Sequence, residues 1–354
     1  MRQNTVRQNT GRQNSVPSLP QPGRHTFMDC TLRDGSYSVD FHFDAQTVET
    51  VLTCVAAAGL EWVEVGHGLG IGGGTVAGTN LSDEQWGELA TRFLPESCRW
   101  GMFVQPGLAS VADVRRMAGA GMSFARIGVD ILAYEEAYEH VRQARELGLT
   151  VFVNLMKSHL VGLDEAVRIG LDIERACAPD GLYFVDSVGQ FLPEQTARLF
   201  AEASRRLRTP LGFHGHNNLG LANANTLAAT NNGAAIVDCT LAGLGRDAGN
   251  AVLEQLAAVL ELQGGKRVYH TDALAHASEH CVSRLRTVAT DRELQVLGAL
   301  YGLHSKYFPA IDDAVEAYAV DRTRLMEAVK PHAYERDLTR TDIEAIAKSL
   351  LPAA

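Results

Sequence analysis

The sequence predicts a (β/α)8 barrel, the TIM-barrel architecture, followed by a helical C-terminal extension. Eight short apolar runs alternate with longer segments of helical periodicity. Several helical segments close on glycine, at Ala58-Gly59, Leu147-Gly148 and Asn232-Gly233, as helix C-termini do. Side chains able to do chemistry follow one strand end after another, which suits a fold that gathers groups from many strands at its C-terminal face. A doubly wound open sheet is the competing arrangement. The count of eight favours the barrel.

In chain order, residues 2–16 hold a five-residue repeat, Arg2-Gln3-Asn4-Thr5-Val6, Arg7 to Gly11 and Arg12 to Val16, which leads into the proline-bearing run 17–22. It is polar and lacks aromatics, so it cannot bury enough surface to offset its ordering entropy. Residues 1–24 therefore read as a disordered tail. The expected strands are Phe27–Thr31, Trp62–Gly66, Trp100–Val104, Phe124–Gly128, Val151–Leu155, Leu182–Asp186, Leu211–His214 and Ala235–Cys239. Helices are expected over Asp44–Ala58, Val111–Ala120, Glu135–Leu147, Leu163–Ala176 and Pro193–Leu207. Asp29, a charge inside an expected buried strand, is the one residue out of keeping. The barrel is placed at 25–265. Residues 266–354 form the extension, with helices expected at Asp272–Leu285, Asp291–Tyr301, Ile311–Tyr318, Arg322–Val329 and Thr341–Leu350, packed on the barrel and partly over its mouth.

Composition narrows the function classes. With 354 residues, 46% hydrophobic and 21% charged, the chain is long enough for a large core and ordinary for a soluble globular protein. A net charge of -10 argues against a nucleic-acid binder. No apolar stretch is long enough for a membrane span. The six cysteines are scattered without a Cys-x-x-Cys pair, which points to a reducing cytoplasm.

The chemistry centres on Phe213-His214-Gly215-His216-Asn217. Residues two apart on a strand share a face, so both imidazoles can reach one metal ion. Asp34, after strand 1, is the best third donor, giving a carboxylate-plus-two-histidine site with positions left for substrate and water; this donor set also suits the Fe(II) of a non-haem oxygenase. Arg33 adjoins it, and His67 and Asp186-Ser187 follow strands 2 and 6. A turn role for Asp34, a local hydrogen bond for His67 and a helix-capping role for Asp186 are the simpler explanations of each residue alone. The seven-glycine run 66–78 lacks the Lys-Ser/Thr ending of a P-loop and reads as a mobile loop over the mouth. Gly243–Asn250 suits close backbone approach.

These residues, in this order, resemble the pyruvate-dependent aldolase and acyl-transfer superfamily that includes hydroxymethylglutaryl-CoA lyase and isopropylmalate synthase. Within it the chain looks most like the 4-hydroxy-2-oxovalerate aldolases. The matching pieces are Thr31-Leu32-Arg33-Asp34-Gly35-Ser36, Glu64-Val65-Gly66-His67-Gly68, Pro106-Gly107, Arg126 and Met156-Lys157-Ser158-His159. Asp186-Ser187, Gly212 to Gly220, Leu241 to Gly245 and Ala248-Gly249-Asn250 complete the set. Ser36 favours the aldolase branch over the Claisen-condensing one.

The resemblance implies that Asp34, His214 and His216 hold a divalent metal, Mn2+ or else Mg2+. It implies that Arg33 stabilises a pyruvate enolate and that Ser187 lies near the pyruvate carboxylate; the place of His67 after strand 2 adds it as a substrate-binding candidate. The expected activity is cleavage or formation of a 4-hydroxy-2-oxo acid, with pyruvate and an aldehyde as the small-molecule partners. An acyl-CoA lyase, a Claisen-type condensing enzyme and a non-catalytic metabolite-binding barrel are the alternatives. A homo-oligomer is expected.

Two departures stand out. The histidine that the family carries after Asp-Gly-Ser is Tyr37 here, with His42 five residues on. The family's C-terminal tyrosine motif falls on Ala299 to Ser305, placing His304 at its second tyrosine. Tyr37 and His304 are therefore expected as a rearranged acid/base pair, the alternative being an acid/base chemistry that has changed or been lost. Beyond Phe308 the resemblance fades, and with it the expectation of an acylating aldehyde dehydrogenase as partner.

Overall fold

Eight parallel strands close into a barrel in sequence order, each paired with the next and β8 returning to β1. They are β1 (Thr26–Asp29), β2 (Trp62–Glu64), β3 (Arg99–Val104), β4 (Phe124–Asp130), β5 (Thr150–Met156), β6 (Gly181–Asp186), β7 (Leu211–Gly215) and β8 (Ala234–Cys239). This is a computed structural model, and it describes residues 26–264 and 268–351. The tail expected over residues 1–24 lies outside them.

Alternation of side chains along the strands divides the core in two. Outward-facing residues such as Val63, Ile127, Val153 and Phe184 pack beneath the helices. Inward-facing residues stack in layers inside the barrel. Met28, Trp62, Phe124 and Phe152 belong to its apolar filling, with Trp62, Phe124 and Phe152 in contact at ring separations of 5.3 to 5.8 Å. Tyr183 lies against Phe152 and carries the Arg126 guanidinium 4.5 Å from its ring centre. Gly212, opposite it on β7, has no room for a side chain, because a Cβ there would come within 2.5 Å of the Tyr183 ring. Towards the C-terminal ends of the strands the interior becomes polar: Arg126 bonds Glu64 Oε2 at 2.9 Å and Asp238 Oδ2 at 2.5 Å. Burying such charges is tolerable only with each partner in place.

Asp29 is a joint rather than a defect. Its buried carboxyl accepts from Thr31 Oγ1 at 2.5 Å and Thr31 N at 3.3 Å, and Thr31 Oγ1 accepts from Leu241 N at 2.9 Å. The end of β1 is thus tied to the turn after β8. Burial pushes the Asp29 carboxyl up to about 7, against the lowering effect of Thr31.

The barrel helices include Ala45–Ala57, Val111–Gly119, Ala137–Glu146, Leu163–Cys177 and Pro193–Arg206, within a residue or two of expectation. The extension contains Thr271–Ala277, Arg292–Tyr301, Phe308–Tyr318, Arg322–Glu335 and Arg340–Ser349. The helix expected to end at Val329 continues through Pro331 to Glu335. Four of these helices, with Leu303 and Tyr307 between them, surround their own apolar cluster of Leu294, Ile311, Leu325, Met326, Val329 and Ile343. Backbone contacts seat the extension over the barrel mouth: Thr287 N and Val288 N donate to Ser38 O, and His159 Nε2 lies 3.2 Å from Gly302 O. Lys157, at the end of β5, bonds Asp130 at 2.5 Å and Asp337 of the extension at 2.7 Å.

Candidate metal and substrate site

A cavity of about 750 Å³ opens where the C-terminal ends of the strands meet the extension. At its floor, one ligand atom each from Asp34, His214 and His216 falls within 4.8 Å of the others, and all three residues are buried. His214 lies on β7 and His216 just past its end, where its N–H still donates to Asp186 O, so the i and i+2 spacing brings the two together. Asp34 opens the 3₁₀ turn Asp34–Val39 that follows β1. Its carboxylate is fixed by Arg33 at 2.8 Å and by the backbone N–H of Arg246 at 3.2 Å. The second contact depends on Gly245, where a Cβ would meet Asn250 Nδ2 at 2.3 Å. The loop Gly243–Asn250 therefore does make the close approach that its composition suggests.

The donor set fits a divalent cation. His214 Nδ1 faces Asp238 Oδ2 at 2.8 Å, which places its proton on Nδ1 and leaves Nε2 as a lone-pair donor. His216 Nε2 faces the guanidinium of Arg246 at 3.2 Å and is an acceptor too, while its buried Nδ1 has no partner among the described residues. The two Nε2 atoms stand 3.4 Å apart, and His214 Nε2 is 3.4 Å from Asp34 Oδ2. Two lone pairs and a carboxylate converging on one point is an arrangement that a cation relieves. Burial raises the Asp34 carboxyl, but Arg33, His216, His214 and Arg246 outweigh it and hold it well below the usual carboxylate range. Burial, and then Arg246, pushes the His216 imidazolium well below its ordinary range.

Arg33 lies against the Phe103 ring with its guanidinium 4.9 Å from the centre, and also bonds Glu64 Oε2 at 2.8 Å. Ser187 lines the cavity, its Oγ accepting from Lys157 N at 2.8 Å and so retaining its own proton for a ligand. Tyr37 and His304 line the same cavity, one from the turn after β1 and the other from the extension. Arg246 lies between them. Its guanidinium contacts His304 Nε2 and Ser187 O, the latter at 2.7 Å, and sits 5.9 Å from the centre of the Tyr37 ring. Burial raises the Tyr37 phenol despite Arg246. Burial, followed by Arg246, Lys157 and Lys306, drives His304 well below the ordinary histidine value.

Three sequence candidates stand apart. His67 bonds Gly78 O at 3.1 Å, accepts from Leu69 N at 3.1 Å and stacks on Phe41 at 4.2 Å, so both ring nitrogens are committed locally. Its neighbours Gly68 and Leu69 line the cavity instead. His42 is exposed, with Nδ1 turned to the Asp40 carbonyl. Asp186 caps the turn after β6 by accepting from Gln190 N and Phe191 N, at 3.0 and 2.9 Å. Sequence reasoning did not single out Arg246 or Asp238. For Asp238 the signal was a charge on an apolar strand, and for Arg246 a charged pair interrupting a glycine-rich loop.

A family model described as HMGL-like matches residues 125–281. A protein named oxaloacetate decarboxylase from Mycobacterium tuberculosis is 37% identical over 252 residues, 71% of this chain and 74% of that one. One named 4-hydroxy-2-oxovalerate aldolase 4 from Rhodococcus opacus is 32% identical over 315 residues, 88% of this chain and 90% of that one. Among solved structures, the carboxyl transferase domain of Rhizobium etli pyruvate carboxylase, determined with pyruvate, superposes with a TM-score of 0.75. It shares 14% identity over 92% of this chain and 61% of that one, a likeness of fold.

Proposed function

Because the chain belongs to the HMGL-like family of aldolases and related lyases, we propose that it is a divalent-metal-dependent aldolase that cleaves or forms 4-hydroxy-2-oxo acids. The observation that carries this reading is the convergence of Asp34, His214 and His216 beneath a cavity that also holds Arg33. Asp34, His214 and His216 would hold the cation, with Mn2+ the favoured ion and Mg2+ the alternative. When bound, it supplies Lewis acidity towards the 2-oxo group of the substrate.

The protein's own groups do the rest. Arg33 is anchored by two carboxylates through two of its nitrogens, leaving the third to stabilise the oxyanion of a pyruvate enolate. Ser187 offers its hydroxyl proton to the carboxylate of the pyruvyl half. His304, kept neutral, is suited to accept the proton of the C4 hydroxyl, while Tyr37, kept protonated, is suited to donate. Pyruvate and a carbonyl compound leave the site.

The test uses full-length protein loaded with Mn2+. Exchange of the pyruvate methyl protons for deuterium, followed by NMR, reports enolate formation, and pyruvate release from a 4-hydroxy-2-oxo acid reports cleavage. Absence of both sinks the aldolase reading.

The oxaloacetate decarboxylase relative favours a second reading. Loss of CO2 from a 2-oxo dicarboxylate leaves the same electron pair on C3, in the same enolate. Arg33 and the Asp34–His214–His216 floor would serve both reactions, and CO2 release from oxaloacetate tests it.

A further inference from the structure

Five cationic side chains line the cavity among the described residues: Arg33, Lys157, Arg246, Arg286 and Lys306. Arg33 is paired with Asp34 and Glu64, Lys157 with Asp130 and Asp337, and Lys306 with Asp337. Arg286 spends its donors on the carbonyls of Asp247 and Gly245. Arg246 differs. Its side chain is only 16% exposed, yet the one carboxylate within reach among the described residues is Asp247, 3.6 Å from Nε, and that Nε makes no hydrogen bond.

Ser187 O accepts from Arg246 Nη2 at 2.7 Å, and the two other partners of Arg246 are provisional. The Nε2 of His216 belongs to the cluster suited to a cation. The Nε2 of His304 faces Arg246 while its Nδ1 faces Lys306 N–H at 3.1 Å. A neutral imidazole carries one proton and accepts at one nitrogen only, so both donors cannot be satisfied together. A buried planar guanidinium with one donor settled on Ser187 O, Nε unpartnered and its histidine acceptors wanted elsewhere is matched by a carboxylate that takes two N–H groups at once.

We propose that Arg246 binds a carboxylate on the electrophile half of the substrate. The preferred substrate is then a 4-hydroxy-2-oxo acid ending in a second carboxylate, and the product released beside pyruvate is an oxo acid rather than a neutral aldehyde. This rests on the aldolase reading above. Arg33 stands on the Asp34 side of the floor, where the pyruvyl half belongs. The Arg246 guanidinium contacts His304 and lies 5.9 Å from the centre of the Tyr37 ring, beside the groups suited to the C4 hydroxyl. In the cleavage step the C4 hydroxyl proton passes to His304 and C4–O becomes a carbonyl. The C3–C4 electron pair stays on C3 as the enolate, which takes a proton to give pyruvate. The distal carboxylate keeps its charge throughout.

The test compares 4-hydroxy-2-oxoglutarate with 4-hydroxy-2-oxopentanoate on the metal-loaded, full-length protein. Wild type is expected to favour the dicarboxylate in kcat/KM by about 30-fold or more, the effect of one buried charge pair. Arg246→Gln brings the ratio close to one, with the loss mainly in KM, and Arg246→Lys keeps part of it. A partly misfolded variant cancels from such a ratio. Calorimetric binding of 2-oxoglutarate against 2-oxopentanoate gives the same comparison without turnover. Equal handling of the two compounds by wild type, or an unchanged ratio in Arg246→Gln, overturns the proposal while leaving the aldolase reading intact. Cleavage of neither compound removes the aldolase reading and this one with it.

Discussion

The Nδ1 atom of His214 and the Oδ2 atom of Asp238 lie 2.8 Å apart inside the barrel, and Arg126 holds the same Oδ2 from its other side at 2.5 Å. A carboxylate so placed selects one tautomer of the ring and makes Nε2 a stronger donor. Asp238→Asn is expected to weaken Mn2+ binding by about 10-fold or more, read by titration with EPR detection of free Mn2+. An unchanged affinity would show that the contact does not orient His214.

A guanidinium 3.2 Å from His216 Nε2 competes for the lone pair that a cation needs, and its charge repels the ion. Arg246→Ala should therefore bind Mn2+ more tightly than wild type in calorimetry. Unaltered or weaker binding contradicts this competition.

Proton transfer at the C4 oxygen is assigned to His304. His304→Gln should slow retro-aldol cleavage by about 10²- to 10⁴-fold while deuterium exchange into pyruvate continues. Because His304 is held well below the ordinary histidine value, its protonation should cause no loss of rate as pH falls through about 6.5. A wild-type inflection there that is absent from His304→Gln argues against this environment.

Asp29 gives a prediction about stability alone. Its carboxyl titrates near 3.8 when unfolded and at about 7 when folded. Between those values the folded chain holds a proton that the unfolded chain has released, so this residue's contribution is full below about 3.8 and is lost as pH rises to about 7. Asp29→Asn should flatten that decline in urea melts taken at several pH values. Parallel curves for the two proteins would exclude the effect.

What the sequence disclosed and what it withheld follow from how each residue is placed. His214 and His216 were legible because strand alternation alone brings them to one face, and Asp34 because a barrel gathers strand ends. The pairing with Asp238 depends on the register of β7 against β8 and on which way Asp238 points, and neither follows from spacing. Arg246 was hidden for another reason. Its role depends on how the loop folds back, through Gly245, to touch Asp34. His67 sits in a motif that suggests ligand binding, yet Phe41 and the Gly78 carbonyl claim the ring. Asp29 read as an anomaly until Thr31 and Leu241 supplied its partners.

The extension brings His304 to the cavity, whereas His214 stands on a barrel strand, braced from within by Asp238 and Arg126, with His216 just past the strand end. The metal-facing histidines and His304 are therefore supported by different parts of the chain, with Arg246 touching both. Side chains of the extension can be exchanged with little disturbance to the braced histidines, whereas the loop after β8 also holds Asp34 through the Arg246 N–H. The range of electrophiles can drift under selection while enolate chemistry stays fixed, and mutagenesis aimed at new carbon–carbon bond formations would best begin at Arg246, Asp247 and His304.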